Sequence, residues 1–259
     1  MKINLDAKTS KLVHIAKDAG NSIMEIYEKE TFNQQLKSDN SPLTEADVAS
    51  HNVIINGLKQ LTPDIPILSE ESCDISWNER KQWCNYWLID PLDGTKEFIK
   101  RNGEFTVNIA LIEKHIPVFG IVHAPAINET WIGDKNKDLA IKISRNEARI
   151  IHTKPRKKGE TYKVVGSRSH AGDSLKKYLD NLESYKLVSM GSSIKLCLVA
   201  EGSAHIYPRL GPTSEWDTAA AHAVVNAAGG RVVNAENDTV LVYNKKDSLR
   251  NSHFVVYSD

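Results

Sequence analysis

The chain is 259 residues long, with 33 Lys plus Arg set against 33 Asp plus Glu and a formal net charge of zero. That length buries a substantial core as one large domain or two closely joined lobes. The even charge balance, with an isoelectric point near 7.1, excludes a basic field able to hold a nucleic-acid polymer, while a nucleotide-sized ligand stays open.

The N-terminal stretch MKINLDAKTSKLVHIAKDAG mixes charges throughout and lacks the apolar core of a signal peptide. No run approaches the roughly 18 to 20 apolar residues of a membrane span. The expectation is a cytoplasmic protein with no transmembrane segment; peripheral contact with the cytoplasmic face of the inner membrane would leave little trace. Cys73, Cys84 and Cys197 have neither CxxC spacing nor an even count, which fits unpaired thiols in a reducing compartment.

Leu12, Ile15, Ala16, Ala19, Ile23, Ile26 and Tyr27 recur at helical spacing and predict an amphipathic helix over about 8–28. Residues 37–42, KSDNSP, read as a polar loop. A second helix is expected over about 45–61, opened by Thr44 with Asp47 three residues later, turning Val48, Ile54, Ile55, Leu58 and Leu61 inward and ending before Pro63. Short strand-like runs follow at 65–68, 86–89, 105–112, 118–124 and 129–133, in a meander order that implies an antiparallel sheet. The stretch KPRKKGE at 154–160 reads as a solvated turn and a soft boundary between lobes of about 1–155 and about 156–259. Beyond it, strands near 162–166, 185–189 and 204–207 alternate with helices near 171–182, 192–201 and 215–228, an alternation that fits a layered α/β architecture.

The run WLIDPLDGTKEF at 87–98 carries the chemistry. Asp90 closes an apolar strand, where open α/β sheets often place ligands, and Pro91 should stop the ladder. Asp90 and Asp93 are then able to converge on neighbouring ions, leaving the Leu92 carbonyl as a further oxygen ligand. Gly94 permits an unusual backbone angle, and Thr95 would offer its hydroxyl and amide to a phosphate if a helical turn begins there. Taken alone, this run fits a plain Asx turn equally well.

Glu70 and Glu71 leave a buried strand together, either as solvated side chains or with one facing the same site. Asp217, in SEWDTAAAHAV, is expected in the first turn of a helix, where it would either join the site or complement the helix dipole. Asp47 reads as half of a capping box or as the acceptor, through Thr95, of a proton from a water attacking phosphorus. Carboxylates gathered at an apolar-walled site repel one another unless protons or cations neutralise them. An all-oxygen set with no His or Cys favours magnesium.

The blocks KSDNSPLTEAD (37–47), SEES (69–72), WLIDPLDGTKEF (87–98) and WDTAAAHAVVNAAGG (216–230), in this order and spacing, resemble the inositol monophosphatase superfamily over almost the whole chain. Within it, GSRSHA (166–171), GSSIKLCLVAEG (191–202) and YPRLGPTSEWDTAA (207–220) are most similar to bacterial 3'(2'),5'-bisphosphate nucleotidases. The resemblance implies an αβαβα sandwich of the inositol monophosphatase and fructose-1,6-bisphosphatase type. Apart from the resemblance, Asp39 in the polar loop is either part of a plain turn or able to reach a third, weakly held ion. The resemblance itself implies one magnesium at Glu70, Asp90 and the Leu92 carbonyl and a second at Asp90, Asp93 and Asp217.

On the same footing, Asp47 and Thr95 would orient and deprotonate the attacking water, and the Gly94 and Thr95 amides would cradle the phosphate. Ser167, Ser169, His170, Gly191, Ser193, Lys195 and Arg209 would surround the nucleotide, with Lys195 and Arg209 suited to a second phosphate. The implied reaction is removal of the 3'-phosphate of adenosine 3',5'-bisphosphate, with 3'-phosphoadenylyl sulfate as a related substrate, in the setting of sulfate assimilation and with sensitivity to lithium. A homodimer and a monomer both remain open. An inositol monophosphatase-like sugar phosphatase is the first alternative and a non-catalytic nucleotide-binding module a remote one.

Overall fold

The computed structural model describes residues 3, 5–36, 42–145, 147–167 and 173–258. Helix α1 (Ala7–Tyr27) is capped by Asp6, whose side chain accepts from the Thr9 N–H. Strands β1 (Gln34–Leu36) and β2 (Pro42–Thr44) pair antiparallel and lead directly into α2 (Glu45–Leu61). Thr44 caps α2 in a reciprocal capping box with Asp47, as its sequence predicts. The inward face of α2 is more polar than expected. Asp47 and Ser50 are buried with Ala46, Ile54 and Leu58, whereas Val48 is 45% exposed.

A seven-stranded sheet follows in the order β3 (Ile67–Ser69), β4 (Asn85–Asp93), β5 (Thr106–Glu113), β6 (Ile116–Ala124), β7 (Glu129–Asp134), β8 (Leu139–Ser144) and β9 (Glu147–Ile150). From β4 onward it is the antiparallel meander expected, but β3 pairs parallel to β4. Helices α3 (Trp77–Arg80) and α4 (Thr95–Ile99) flank β4 in the chain. Pro91 does not end β4, because the strand continues to Asp93 through a register break.

The second sheet has the order β11-β10-β12-β14-β13, from β10 (Tyr162–Ser167), β11 (Tyr185–Met190), β12 (Ile206–Arg209), β13 (Arg231–Asn234) and β14 (Phe254–Tyr257). Helices α5 (Asp173–Leu179), α6 (Ile194–Ala200) and α7 (Ala219–Ala227) complete the chain. Because side chains alternate along a strand, each sheet has two faces to cover. Trp87, Ile89, Val107, Ile109 and Ile121 pack on α1 and α2. Leu88, Ala110, Val122 and Trp131, from the opposite face, share one core with α6, α7 and Val165, Tyr207, Phe254 and Val256 of the second sheet. The remaining face, with Val164, Ile206 and Val255, meets Leu175 and Leu179 of α5. The result is helix, sheet, helix, sheet, helix: the αβαβα sandwich expected.

The layers approach closely at Gly120 of β6, where an added Cβ would run into the Ala220 carbonyl oxygen of α7. A side chain there would push α7 off the sheet.

Candidate active site

The register break in β4 arranges the first two carboxylates. Asp90 pairs with Asn108 and Asp93 with Thr106, so three steps on β4 match two on β5. In a regular strand residues three apart point to opposite faces; the extra residue turns Asp90 and Asp93 the same way. Ser50 Oγ donates to the Pro91 carbonyl at 2.7 Å, and Leu92 N–H donates to Asp90 Oδ1 at 3.0 Å, which fixes the bend.

Gly94 follows with φ +96°, the left-handed conformation that lets α4 begin at Thr95. Thr95 Oγ1 lies 3.2 Å from Asp47 Oδ1 and 3.4 Å from the Leu92 carbonyl oxygen. Asp47 Oδ2 accepts the Thr44 N–H at 2.7 Å and the Thr44 hydroxyl at 2.6 Å. The capping reading of Asp47 holds, with one oxygen capping α2, while its other oxygen meets Thr95.

Glu70 arrives beside Asp90 because β3 runs parallel to β4, and its N–H donates to the Ile89 carbonyl at 3.1 Å. Glu70 lines the cleft and Glu71 does not. Asp217 sits in the turn before α7, not in the helix's first turn as expected, because α7 starts only at Ala219. Its Oδ2 accepts the Ser214 N–H at 3.0 Å.

Ser193 ties the two halves of the site together. Its N–H and hydroxyl lie 2.6 and 2.8 Å from Asp93 Oδ2, and the hydroxyl also lies 2.5 Å from the Asp217 carbonyl oxygen.

Burial, then the charges of Glu70, Asp93 and Asp217, push the Asp90 carboxyl well above the ordinary carboxylate range. Asp217 is raised for the same reasons, with burial foremost and Asp93 next. Burial also raises Asp93, opposed by the nearby Lys195 charge and the Ser193 bonds. Among the described residues these groups do not close into a ready-made cluster of three ligands. They nonetheless form an oxygen-only, mutually repelling set, with Asp90 fully buried and the others half-buried, whose charge favours the proton or a hard cation. That donor chemistry fits magnesium.

The same cleft, of about 340 Å³, runs from Glu70, Asp90, Leu92, Asp93 and Asp217 to Lys195 and Arg209. Lys195 is buried, donates to the Ser192 carbonyl at 2.5 Å, and is lowered to about 8 by burial, against the pull of Asp93. Arg209 is 8% exposed and donates through Nη2 to the Pro212 carbonyl at 2.8 Å. Gly191 lines the wall, and its N–H donates to Glu104 Oε2 at 2.7 Å. Ser193 lies behind that wall; Ser192 and Ser167 face the cleft. Asp39, Ser169 and His170 fall outside the described residues.

Sequence reasoning did not single out Asn108 and Thr106, which approach Asp93 Oδ2 at 3.4 and 3.5 Å, or Trp216 and Arg250 on the cleft wall. Polar residues at alternate positions of the otherwise apolar run FTVNIALI were the available signal for the first two.

With this fold and site, the chain belongs to the inositol monophosphatase family, whose family model matches residues 4–255. It is 48% identical to the 3'(2'),5'-bisphosphate nucleotidase CysQ of Salmonella typhimurium, over 93% of this chain and 96% of that protein. The CysQ of Escherichia coli K12 is 47% identical over the same shares. The crystal structure of CysQ from Bacteroides thetaiotaomicron superposes with a TM-score of 0.86 at 38% identity, covering 98% of this chain and 99% of that one. An inositol monophosphatase from Anabaena shares the fold, with a TM-score of 0.74 at 21% identity, over 96% of this chain and 89% of that one. Like that family, the chain is read as a metal-dependent phosphatase. Among the described residues no helix is long and apolar enough to cross a membrane.

Proposed function

We propose that this chain is a magnesium-dependent 3'(2'),5'-bisphosphate nucleotidase that hydrolyses adenosine 3',5'-bisphosphate to AMP and phosphate and accepts 3'-phosphoadenylyl sulfate as a relative of that substrate. One observation carries the reading: a single cleft joins the carboxylates Glu70, Asp90, Asp93 and Asp217 to the buried cations Lys195 and Arg209. A phosphate monoester with a second anionic group matches that polarity, and a neutral inositol ring does not use it. The similarity to the CysQ nucleotidases over nearly the full length supports the same substrate class.

Glu70, Asp90 and the Leu92 carbonyl would hold one magnesium, and Asp90, Asp93 and Asp217 a second; Asp39 is the candidate for a weakly held third. Bound there, the ions would neutralise phosphate charge, activate water and stabilise the leaving oxygen. The protein's own part is positional. Ser193 fixes Asp93, and the start of α4 at Gly94 and Thr95 turns backbone N–H groups toward the phosphate. Thr95 hands the water's proton toward Asp47, which is held for that purpose by Thr44. The ribose 3'-oxygen leaves. The lobe of about 1–155 supplies most of the acidic end, and the lobe of about 156–259 supplies Asp217 and the substrate-selecting cations.

The test is phosphate release from adenosine 3',5'-bisphosphate and from inositol 1-phosphate, with magnesium and with chelator, for the wild type and Asp93→Asn. A magnesium-dependent preference for the nucleotide, lost in Asp93→Asn, is expected. Preference for the inositol ester would overturn the substrate, and release insensitive to chelator would overturn the metal mechanism.

A further inference from the structure

Arg250 lines the same cleft, yet the scheme above leaves it without a task. Its place is set by backbone pairing. Glu215 N–H donates to the Leu249 carbonyl at 2.8 Å and Asn251 N–H to the Thr213 carbonyl at 2.9 Å, so Arg250 lies antiparallel to Ser214. Asn251 Nδ2 locks the pairing, donating to the Ser214 carbonyl at 2.7 Å and meeting Thr218 Oγ1 at 3.0 Å. Side chains alternate along such a segment. Leu249 packs on the core and Asn251 faces Thr218, which leaves Arg250 turned to the cleft.

Its guanidinium is exposed, and among the described residues its side chain makes no hydrogen bond or ion pair; only its backbone N–H is engaged, with Ser248 Oγ. Deeper in the same wall Arg209 is more than nine-tenths buried, and its Nε has no hydrogen-bond partner. A buried donor left without a partner costs free energy that an incoming acceptor would recover. Lys195 of the same wall is lowered chiefly by burial, pulled back by Asp93 and pushed down further by Arg209. An unmet guanidinium donor at Arg209 with a second, unpaired guanidinium at Arg250 on the same cleft suits an anion.

We infer that Arg250 is a specificity-determining residue, which closes with Arg209 on the anionic group of the substrate remote from the phosphate being removed. This rests on the reading of the cleft as a 3'-phosphate esterase site. Burial holds Arg209 in place, whereas Arg250 approaches from the rim on a long side chain. The chemical class selected is a nucleoside 3'-phosphate carrying a second phosphate at its 5' end, over one with a free 5'-hydroxyl.

The experiment compares kcat and KM of the magnesium-loaded wild type, Arg250→Gln and Arg250→Lys on adenosine 3',5'-bisphosphate and on adenosine 3'-monophosphate. Binding of adenosine 5'-monophosphate is measured alongside by calorimetry. Arg250→Gln should raise KM for the bisphosphate roughly five- to tenfold, with the change confined to the substrate bearing the 5'-phosphate, and weaken AMP binding by a similar factor. Arg250→Lys should fall between, keeping charge and losing the planar fork.

A KM that rises equally for both substrates would reduce Arg250 to a structural role, and an unmoved bisphosphate KM would overturn the inference outright. Should the wild type release phosphate from neither substrate, the esterase reading fails, and calorimetry still decides. Weaker AMP binding in Arg250→Gln supports the anion site, and equal binding ends it.

Discussion

Ser193 and Asp93, a hundred residues apart in the chain, meet at one carboxylate oxygen, which lies 2.6 Å from the serine N–H and 2.8 Å from its hydroxyl. The serine belongs to the turn before α6 and the aspartate to the end of β4, so the bond joins the two sheets through the site. Ser193→Ala keeps the backbone donor and removes the hydroxyl, a loss of roughly 1.5–3 kcal/mol for a bond to a charged acceptor. Asp93 is then held less firmly, by the Ser193 N–H with Asn108 and Thr106 at longer range. The magnesium concentration giving half-maximal phosphate release should rise about tenfold. An unchanged magnesium titration would show that the backbone N–H alone positions Asp93.

The Asp47 to Thr95 contact separates capping from catalysis. Asp47→Asn retains an oxygen able to accept the Thr44 N–H, so the cost to stability should stay within about 1 kcal/mol. Turnover should fall about 10²- to 10⁴-fold, since the amide takes no proton from Thr95. If the two residues act as one relay, Asp47→Asn and Thr95→Ala together should cost little more than either alone. Multiplicative losses in kcat would argue that they act separately.

Local features of the sequence were readable where a local cause decides them. Thr44 and Asp47 cap α2, Pro63 follows its end, and Gly94 precedes a helix, each by backbone geometry within a few residues. Features set by pairing across the chain were not. The facing of Asp90 and Asp93 depends on which β5 residues oppose them, and the parallel β3 to β4 pairing on a partner that no local pattern names. Ser193 reads as a serine at the start of a helix, near the nucleotide, until the fold brings Asp93 to it. Arg250 becomes a cleft residue only when Leu249–Asn251 pairs with Thr213–Glu215. The strands β13 and β14 are four residues each, too short for alternation to announce them.

The crowding of Asp90 by Glu70, Asp93 and Asp217 is useful to a cation and costly without one. Asp90→Asn should therefore abolish phosphate release while raising the melting temperature of the chelator-treated protein. Relief of roughly 1–2 kcal/mol corresponds to about 2–6 °C for a chain of this size. Magnesium should raise the wild-type Tm and leave that of Asp90→Asn nearly unmoved. Thermal melts with and without magnesium check both halves; a lower Tm for Asp90→Asn in chelator would mean the carboxylate's bond to Leu92 N–H outweighs its repulsion.

Gly120 governs the seating of α7, and α7 follows directly from Asp217 and Thr218. Gly120→Ala would place a methyl group into the Ala220 carbonyl, and the overlap is with backbone, which has no rotamer to yield. A loss of at least about 3 kcal/mol is expected by denaturant unfolding. In the fraction that folds, α7 must shift outward, so the magnesium requirement should rise as well. Wild-type stability in Gly120→Ala would mean that the sheet and helix part without strain.

His123 supplies a pH signature that does not involve the catalytic carboxylates. It is buried on β6, with Nδ1 2.9 Å from Thr130 Oγ1, and its ring lies against Gly20 of α1. Burial lowers its pKa from about 6.5 to about 4, partly countered by the bond to the Glu129 carbonyl. Between those values the unfolded chain binds the proton and the folded chain does not. Stability therefore falls as pH drops from about 6.5 toward about 4, and the contribution above that window is undiminished. The full effect of this one group is about 3 kcal/mol. Urea unfolding in saturating magnesium, repeated at several pH values, should show His123→Asn less stable at neutral pH but with a shallower decline on acidification. Parallel profiles for the two proteins would mean that the imidazole is protonated within the folded state as readily as outside it.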